Sequence, residues 1–288
     1  MKKETKHAII VIVAAFAVIA VGFIGVYVSS GVNPPQTVVE SWSMQHGKES
    51  QIGIIDTGDV ILLKNKDKVD ICSYVDGYTT GYQKFGDYGD VIIYSRGETL
   101  NPVIHRAILW LEYNGDHTWS APSLANYPSD MWSCTGGDDH NNLSGTLTMK
   151  EMGYDGSYDP TLNLNTLADR FPHSGFITMG DNNSGFDQPS NTPGVNGLVA
   201  YEQINSVAWK EVPWVGAFKM LLNGKRSVLD DAVPNTIPSL AAAIIGIVFL
   251  LVGISFLFDQ RYYKKYRKEL INEMNAPAPS FPLEDEEE

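Results

Sequence analysis

Three short strings hold side chains that could together break an amide bond. Ser41-Trp42-Ser43-Met44 offers a hydroxyl, Val103-Ile104-His105-Arg106 an imidazole, and Gly180-Asp181-Asn182-Asn183 followed by Asp187 two carboxylates. A serine hydroxyl is a poor nucleophile near neutral pH. It needs a base within hydrogen-bond reach, and that base needs a carboxylate to hold its tautomer. The order serine, histidine, aspartate is no obstacle, because geometry rather than order defines such a relay. Singly, each residue is weak evidence: a serine before methionine is usually a polar turn residue, a strand histidine is more often structural, and Gly-Asp-Asn is a common turn. Their combination makes a serine hydrolase the expectation.

These groups need a rigid frame, and the surrounding runs suggest strands. Val60-Ile61-Leu62-Leu63 follows Gly58-Asp59, and Val91-Ile92-Ile93-Tyr94 follows Gly89-Asp90. Short β-branched runs introduced by a Gly-Asp turn read as buried strands. A third run, residues 102–110, carries His105 in its interior, and similar texture returns at residues 175–178 and 198–201. The expected fold is therefore mainly β. Residues 114–172 differ, being rich in Gly, Asn, Asp, Ser, Tyr and Pro. A connection of that length seldom stays unstructured in a compact domain, so it reads as an inserted, partly irregular segment with one short helix within residues 161–170.

Two apolar runs frame this domain. Residues 8–28 form 21 residues without a charge, which at ~1.5 Å per residue spans the roughly 30 Å hydrocarbon layer. That is longer than a secretory h-region, so a retained helix is favoured over a cleaved signal. Residues 240–258 give a second run just after Pro238. Lys2, Lys3 and Lys6 precede the first run, and Arg261, Lys264, Lys265, Arg267 and Lys268 follow the second. The positive-inside rule then puts both ends in the cytoplasm. The expected order is a cytoplasmic N-terminus (1–7), a transmembrane helix (8–30), an extracytoplasmic domain (31–237), a second transmembrane helix (238–258) and a cytoplasmic tail (259–288). Residues 276–288, with spaced prolines and an acidic end, should be disordered.

Residues 31–237 hold 13 Lys or Arg against 25 Asp or Glu, a net charge of −12. Nucleic acid is an unsuitable partner for such a surface. The two cysteines, Cys72 and Cys134, both lie in this segment. An exported compartment permits their pairing, and two buried thiols are the equal alternative. Asp138-Asp139-His140 and the aspartates within 155–159 lack EF-hand or zinc spacing and read as solvated loops. Asn142-Leu143-Ser144 matches a glycosylation acceptor. His117 and His173 read as surface or structurally satisfied residues.

The ordered motifs resemble the type I signal peptidases, of the archaeal and endoplasmic-reticulum type. In that family a Ser-x-Ser-Met box supplies the nucleophile, here Ser43, with Ser41 near the oxyanion site. Gly58-Asp59-Val60-Ile61-Leu62 is similar to the next box. Val103-Ile104-His105-Arg106 resembles the box in which bacterial members carry lysine, and Gly180-Asp181-Asn182-Asn183 with Asp187 resembles the last. Gly197-Leu198-Val199-Ala200-Tyr201-Glu202 and Val212-Pro213-Trp214-Val215-Gly216 are similar to the closing strands. The likeness covers residues 38–222 apart from the insertion. Departures are His46 where proline is frequent, Met179 where lysine is frequent, and the 82-residue interval from His105 to Asp187.

The resemblance implies that Asp187 orients His105 while Asp181 supports the site by hydrogen bonds, and that Ser41 and the Ser43 N–H meet the oxyanion. It implies a signal-peptidase-like β domain and signal-peptide-bearing preproteins as substrates. The lipid bilayer and the protein-export translocon are the implied partners, and no metal or organic cofactor is needed. Trp42 and Trp214 are candidates to dip into the lipid interface, with core packing the plainer role for Trp214. His46 reads as structural. Two other readings stand beside this one: a processing protease with one dedicated substrate docking on the insertion, and a non-catalytic anchored binding or assembly subunit.

Overall fold

The structure, a computed structural model, describes residues 3–189 and 191–275. The acidic tail expected at residues 276–288 lies outside the described residues. The chain divides into two units, residues 1–240 and 241–288.

In the first unit the chain begins with α1 (Lys3–Ser30), β1 (Gln36–Val38) and β2 (Val60–Lys64). Helix α2 (Tyr74–Thr80) and the hairpin β3 (Gln83–Lys84) and β4 (Asp87–Tyr88) lead to β5 (Val91–Tyr94) and the long β6 (Val103–Tyr113). The segment read as an insertion contains β7 (Trp119–Ser120), β8 (Trp132–Cys134), β9 (Thr146–Met149), β10 (Thr161–Asn163) and α3 (Leu164–Arg170). The frame closes with β11 (Gly175–Met179), β12 (Ile204–Val212), α4 (Val215–Leu222) and α5 (Arg226–Ala232). Helix α6 (Thr236–Met274) starts in this unit and makes up the second.

The main sheet has the order β1-β2-β12-β5-β6-β11, with β7 added to β6, and every pairing is antiparallel. All four residues of β5 are buried because both sheet faces are covered. Val91 and Ile93 pack with Met44, Ile55 and Ile61, whereas Ile92 and Tyr94 pack with Ala107, Phe176 and Val207. Strand alternation thus gives one strand two cores, which is why its sequence is an unbroken apolar run.

The inserted segment is more ordered than its composition indicates. Strands β10-β9-β8 form a separate antiparallel sheet. Its Leu147, Met149 and Leu162 join Trp119, Leu143 and Leu167 in the largest core, against Leu109, Leu111 and Ile177 of the main sheet. Its apolar residues are isolated between turns, so no periodic run announces them. The short helix begins at Leu164, where the Asn163 side chain accepts from the Thr166 N–H.

Two expected strands are corrected. Residues 198–201 contribute only an isolated bridge, Phe176 to Val199, followed by a 3-10 turn; the closing strand is Ile204–Val212. Residues 212–216 end that strand and open α4 instead. Cys72 and Cys134 are free thiols, the first half-buried and the second buried.

Among the described residues one helix is long and apolar enough to cross a membrane, Thr236–Asn272. It begins two residues before Pro238 and runs well past residue 258, carrying the basic residues 261–268 within the same helix. In α1 (Lys3–Ser30) the apolar stretch among the residues described in full is Phe16–Ser30.

Candidate active site

Ser43 lies in the loop between β1 and β2. That loop is held at its base, where the Val39 N–H donates to Asp59 O (3.0 Å) and the Gly58 N–H to Val39 O (2.9 Å). Met44 is buried beside the nucleophile, a burial worth about 2 kcal/mol, and Gln45 is buried after it. The Gln45 amide donates to Gly47 O and Ala232 O, and its carbonyl accepts from Thr57. The Thr57 hydroxyl also lies 2.9 Å from Ser41 O. Neighbouring buried side chains thus fix the loop while Ser43 itself stays partly exposed.

His105 is the third residue of β6, paired across to Ile92 and almost fully buried. Its Nε2 stands 2.9 Å from Ser43 Oγ, and its Nδ1 stands 2.9 and 2.8 Å from the two Asp187 oxygens. The carboxylate can only accept, so Nδ1 carries the proton and Nε2 presents its lone pair to the serine.

Asp187 is a fully engaged acceptor. Tyr94 OH (2.7 Å) and Thr178 Oγ1 (2.6 Å) donate to one oxygen and Thr192 Oγ1 (2.6 Å) to the other. The Asp187 N–H donates to Thr178 O, tying the loop back to β11. Burial works to raise the Asp187 carboxyl, but the adjacent His105 and the hydroxyl donors outweigh it and hold the group below the usual carboxylate range.

Asp181 does not touch His105. It receives Arg106 Nε (2.8 Å) and Nη2 (2.5 Å) as a bidentate pair, and His46 Nε2 lies 3.0 Å from the same Oδ2. Arg106 Nη1 donates to the carbonyls of Lys84, Tyr88 and Gly89, so every nitrogen of the buried guanidinium has a partner. Burial again opposes ionisation of Asp181, and the Arg106 charge overrides it to depress the carboxyl. His46 stacks on Tyr154 of the inserted segment at 5.2 Å, and the Tyr154 N–H donates to Asp181 O. The insertion therefore reaches the site through Asp181.

Gly180 separates these arrangements. A Cβ built there would lie 2.5 Å from Ser43 O and 3.0 Å from His105 Nε2, so only glycine lets the strand pass the nucleophile this closely. The Asn182 N–H then donates to Ser43 O (2.9 Å).

Ser41 Oγ is 3.3 Å from Ser43 Oγ. Trp42 is 61% exposed beside them, whereas Trp214 is half-buried with its indole donating to Ser50 Oγ. Behind the loop, burial pushes Asp59 up to about 7 even though it accepts from the Trp214 and Asp56 N–H groups. Burial also raises Glu211 to about 7.

Sequence reasoning did not single out Tyr94, Thr178, Thr192 or Arg106. Arg106 carried a signal, since a cation inside an apolar strand requires a buried partner. The three hydroxyl residues carried none.

No family model matches the chain, and no curated protein matches it in sequence.

Proposed function

We propose that this chain is a membrane-bound serine endopeptidase that removes signal peptides from exported preproteins. One observation carries the reading: Ser43 Oγ, the His105 imidazole and the Asp187 carboxylate form a continuous hydrogen-bonded relay at 2.9 and 2.8 Å. The motif resemblance to type I signal peptidases supplies the substrate class.

In this mechanism His105 Nε2 takes the Ser43 proton as Oγ attacks the scissile carbonyl carbon. The carbonyl oxygen becomes an oxyanion, met by the Ser43 N–H and the Ser41 hydroxyl, each donor worth roughly 3 kcal/mol. The Ser43 N–H has no other partner among the described residues. Collapse breaks the C–N bond, and the imidazolium returns its proton to the leaving amine. Water, deprotonated by the same imidazole, then hydrolyses the Ser43 acyl ester. Asp187, held ionised, stabilises each imidazolium.

In this reading α6, long and apolar enough to cross a bilayer, attaches the chain to the membrane, and α1 supplies a second crossing with residues 31–237 on the extracytoplasmic side. Few residues separate Ser30 from Ser43, so the nucleophile is held near the lipid boundary, where the end of an inserted signal peptide emerges.

The test is cleavage of several unrelated preproteins by the full chain in detergent. Ser43→Ala and His105→Ala are expected to lower the rate by about 10⁴ or more with near-ultraviolet circular dichroism unchanged. Wild-type turnover by either variant would overturn the proposal, and cleavage of one preprotein alone would favour a dedicated processing enzyme.

A further inference from the structure

Helix α4 packs in an order opposite to that of a helix surrounded by water. Its inward face is Gly216, Ala217 and Met220, all buried. Its outward face is Val215, Phe218 and Leu222, which are 48%, 63% and 73% exposed. Spacings of three and four residues put these three on one side of the helix. Burying Phe218 and Leu222 would be worth about 2 kcal/mol each, yet the domain leaves them out and packs Gly216, Ala217 and Met220 in. Ile52, 74% exposed, sits in a loop tied to the same region, because the Trp214 indole donates to Ser50 Oγ and the Gly53 N–H to Glu211.

We propose that the outward face of α4, with Ile52, is a docking surface for the lipid interface. The rest of the helix shows why lipid is the occupant. Ala217 and Met220 share a cluster with Leu229 of α5 and with Ile237 and Leu240 of the first turn of α6. The exposed face is thus backed by the same packing that anchors the start of α6, a helix long and apolar enough to cross a bilayer. Val38, eight residues after the end of α1, packs against the same cluster.

Charge agrees with this placement. Lys219, Lys225 and Arg226 fall within eight residues of a segment whose balance is otherwise strongly acidic. Lys219 and Lys225 share a single acid, Glu40, and Arg226 pairs with Asp230, so the three cations rim the apolar face without a surplus of charge. Lysine beside apolar anchors suits a headgroup layer, where the stem lies along lipid and the ammonium stays wet.

The consequence reaches the nucleophile through a short path. The Ala217 N–H donates to Gly58 O (2.8 Å), and the next residue back, Thr57, contacts Ser41 O. Docking α4 in the interface would set the height of the Ser43 loop above the membrane. This role in presenting substrate rests on the proposed peptidase reading, whereas the docking itself does not.

The experiment places nitroxide labels on the full chain reconstituted in vesicles of phosphatidylcholine and phosphatidylglycerol. Phe218→Cys and Leu222→Cys report the patch, and Asp138→Cys, exposed in the inserted segment, reports water. Cys72, its thiol pushed up to about 11 by burial, and buried Cys134 stay in place, with the wild-type chain as the labelling blank. Oxygen relaxation relative to an aqueous nickel chelate is expected to be several-fold higher at 218 and 222 than at 138. Equal ratios at all three positions would overturn the proposal. So would label-to-label coupling at 218 without an oxygen gain, which would assign the face to a second copy. A Phe218→Ser, Leu222→Ser double variant guards against misfolding as the cause: it is expected to cleave peptide normally in detergent and several-fold more slowly in vesicles. Loss in both media would contradict the docking role. Inactivity of the wild type with an intact oxygen signal would sink the peptidase reading alone.

Discussion

His105 and Arg106 are neighbours in β6, and each takes one aspartate from the same stretch of chain. Around His105 the acceptor Asp187 is surrounded by hydroxyl donors, and one imidazole nitrogen remains free to face a partly exposed serine. Around Arg106 each guanidinium nitrogen is engaged by Asp181 or by backbone carbonyls. Consecutive strand residues point to opposite faces, so one face receives a relay that can move a proton and the other an ion pair that cannot. The difference teaches that a buried carboxylate serves chemistry when its partner can change protonation, and architecture when its partner is a permanent cation.

Exchanging each aspartate for its amide should separate the two roles most sharply. Asp187→Asn is expected to reduce cleavage by about 10⁴ through the wrong imidazole tautomer, with urea unfolding little changed. Asp181→Asn strands the Arg106 charge and is expected to cost about 3–5 kcal/mol in the same unfolding measurement, with a far smaller rate loss in the folded fraction. Matching rate losses without a stability difference would erase the distinction.

A smaller effect is expected from Thr192→Val, which removes one hydroxyl from Asp187. The rate should fall about tenfold, equivalent to ~1.4 kcal/mol. That hydroxyl helps depress the carboxyl, so its loss should move the acid limb of the pH-rate profile to higher pH. An unmoved limb would show that Tyr94 and Thr178 suffice.

The smallest effect contrasts both depressed aspartates with the raised acids behind the nucleophile loop. Asp59 and Glu211, near 7 in the folded protein, bind protons more tightly than in the unfolded chain. The unfolded carboxyls lose their protons near pH 4 and the folded ones near 7, so these groups lower stability as pH rises across that window. Asp181 and Asp187 act with the opposite sign, their contribution being lost as pH falls below about 4. Glu211→Gln keeps an acceptor for the Gly53 N–H and should flatten part of the decline between pH 4 and 7 in thermal unfolding. An identical slope in the variant would exclude Glu211 as a contributor.

Much of the frame was legible. The runs at 60–63, 91–94 and 102–110 became β2, β5 and β6: β5 is buried on both faces and leaves a continuous apolar signal, while β2 buries Ile61 and Leu63 and half-buries Val60 and Leu62. The inserted sheet was not, since Trp119, Leu143, Leu147 and Leu162 are dispersed among polar turns and form a core only when brought together. Residues 212–216 were expected in a closing strand only through the family resemblance. Contact of Gly216 with Gly58 and Asp59 and of Ala217 with Gly58 O turns the chain into α4 instead.

By itself the sequence determined which residues could do chemistry: a serine before a buried methionine, a histidine inside a strand, and two aspartates bracketing a turn. Composition and local pattern decide such things because they depend on residue type and near neighbours. Tertiary structure alone decided which aspartate faces the imidazole, which hydroxyls hold it ionised, and that His46 joins the Arg106 pair. Those outcomes depend on strand register, on the passage of Gly180 beside Ser43, and on groups that meet across long stretches of chain, 93 residues for Tyr94 and Asp187 and 135 for His46 and Asp181.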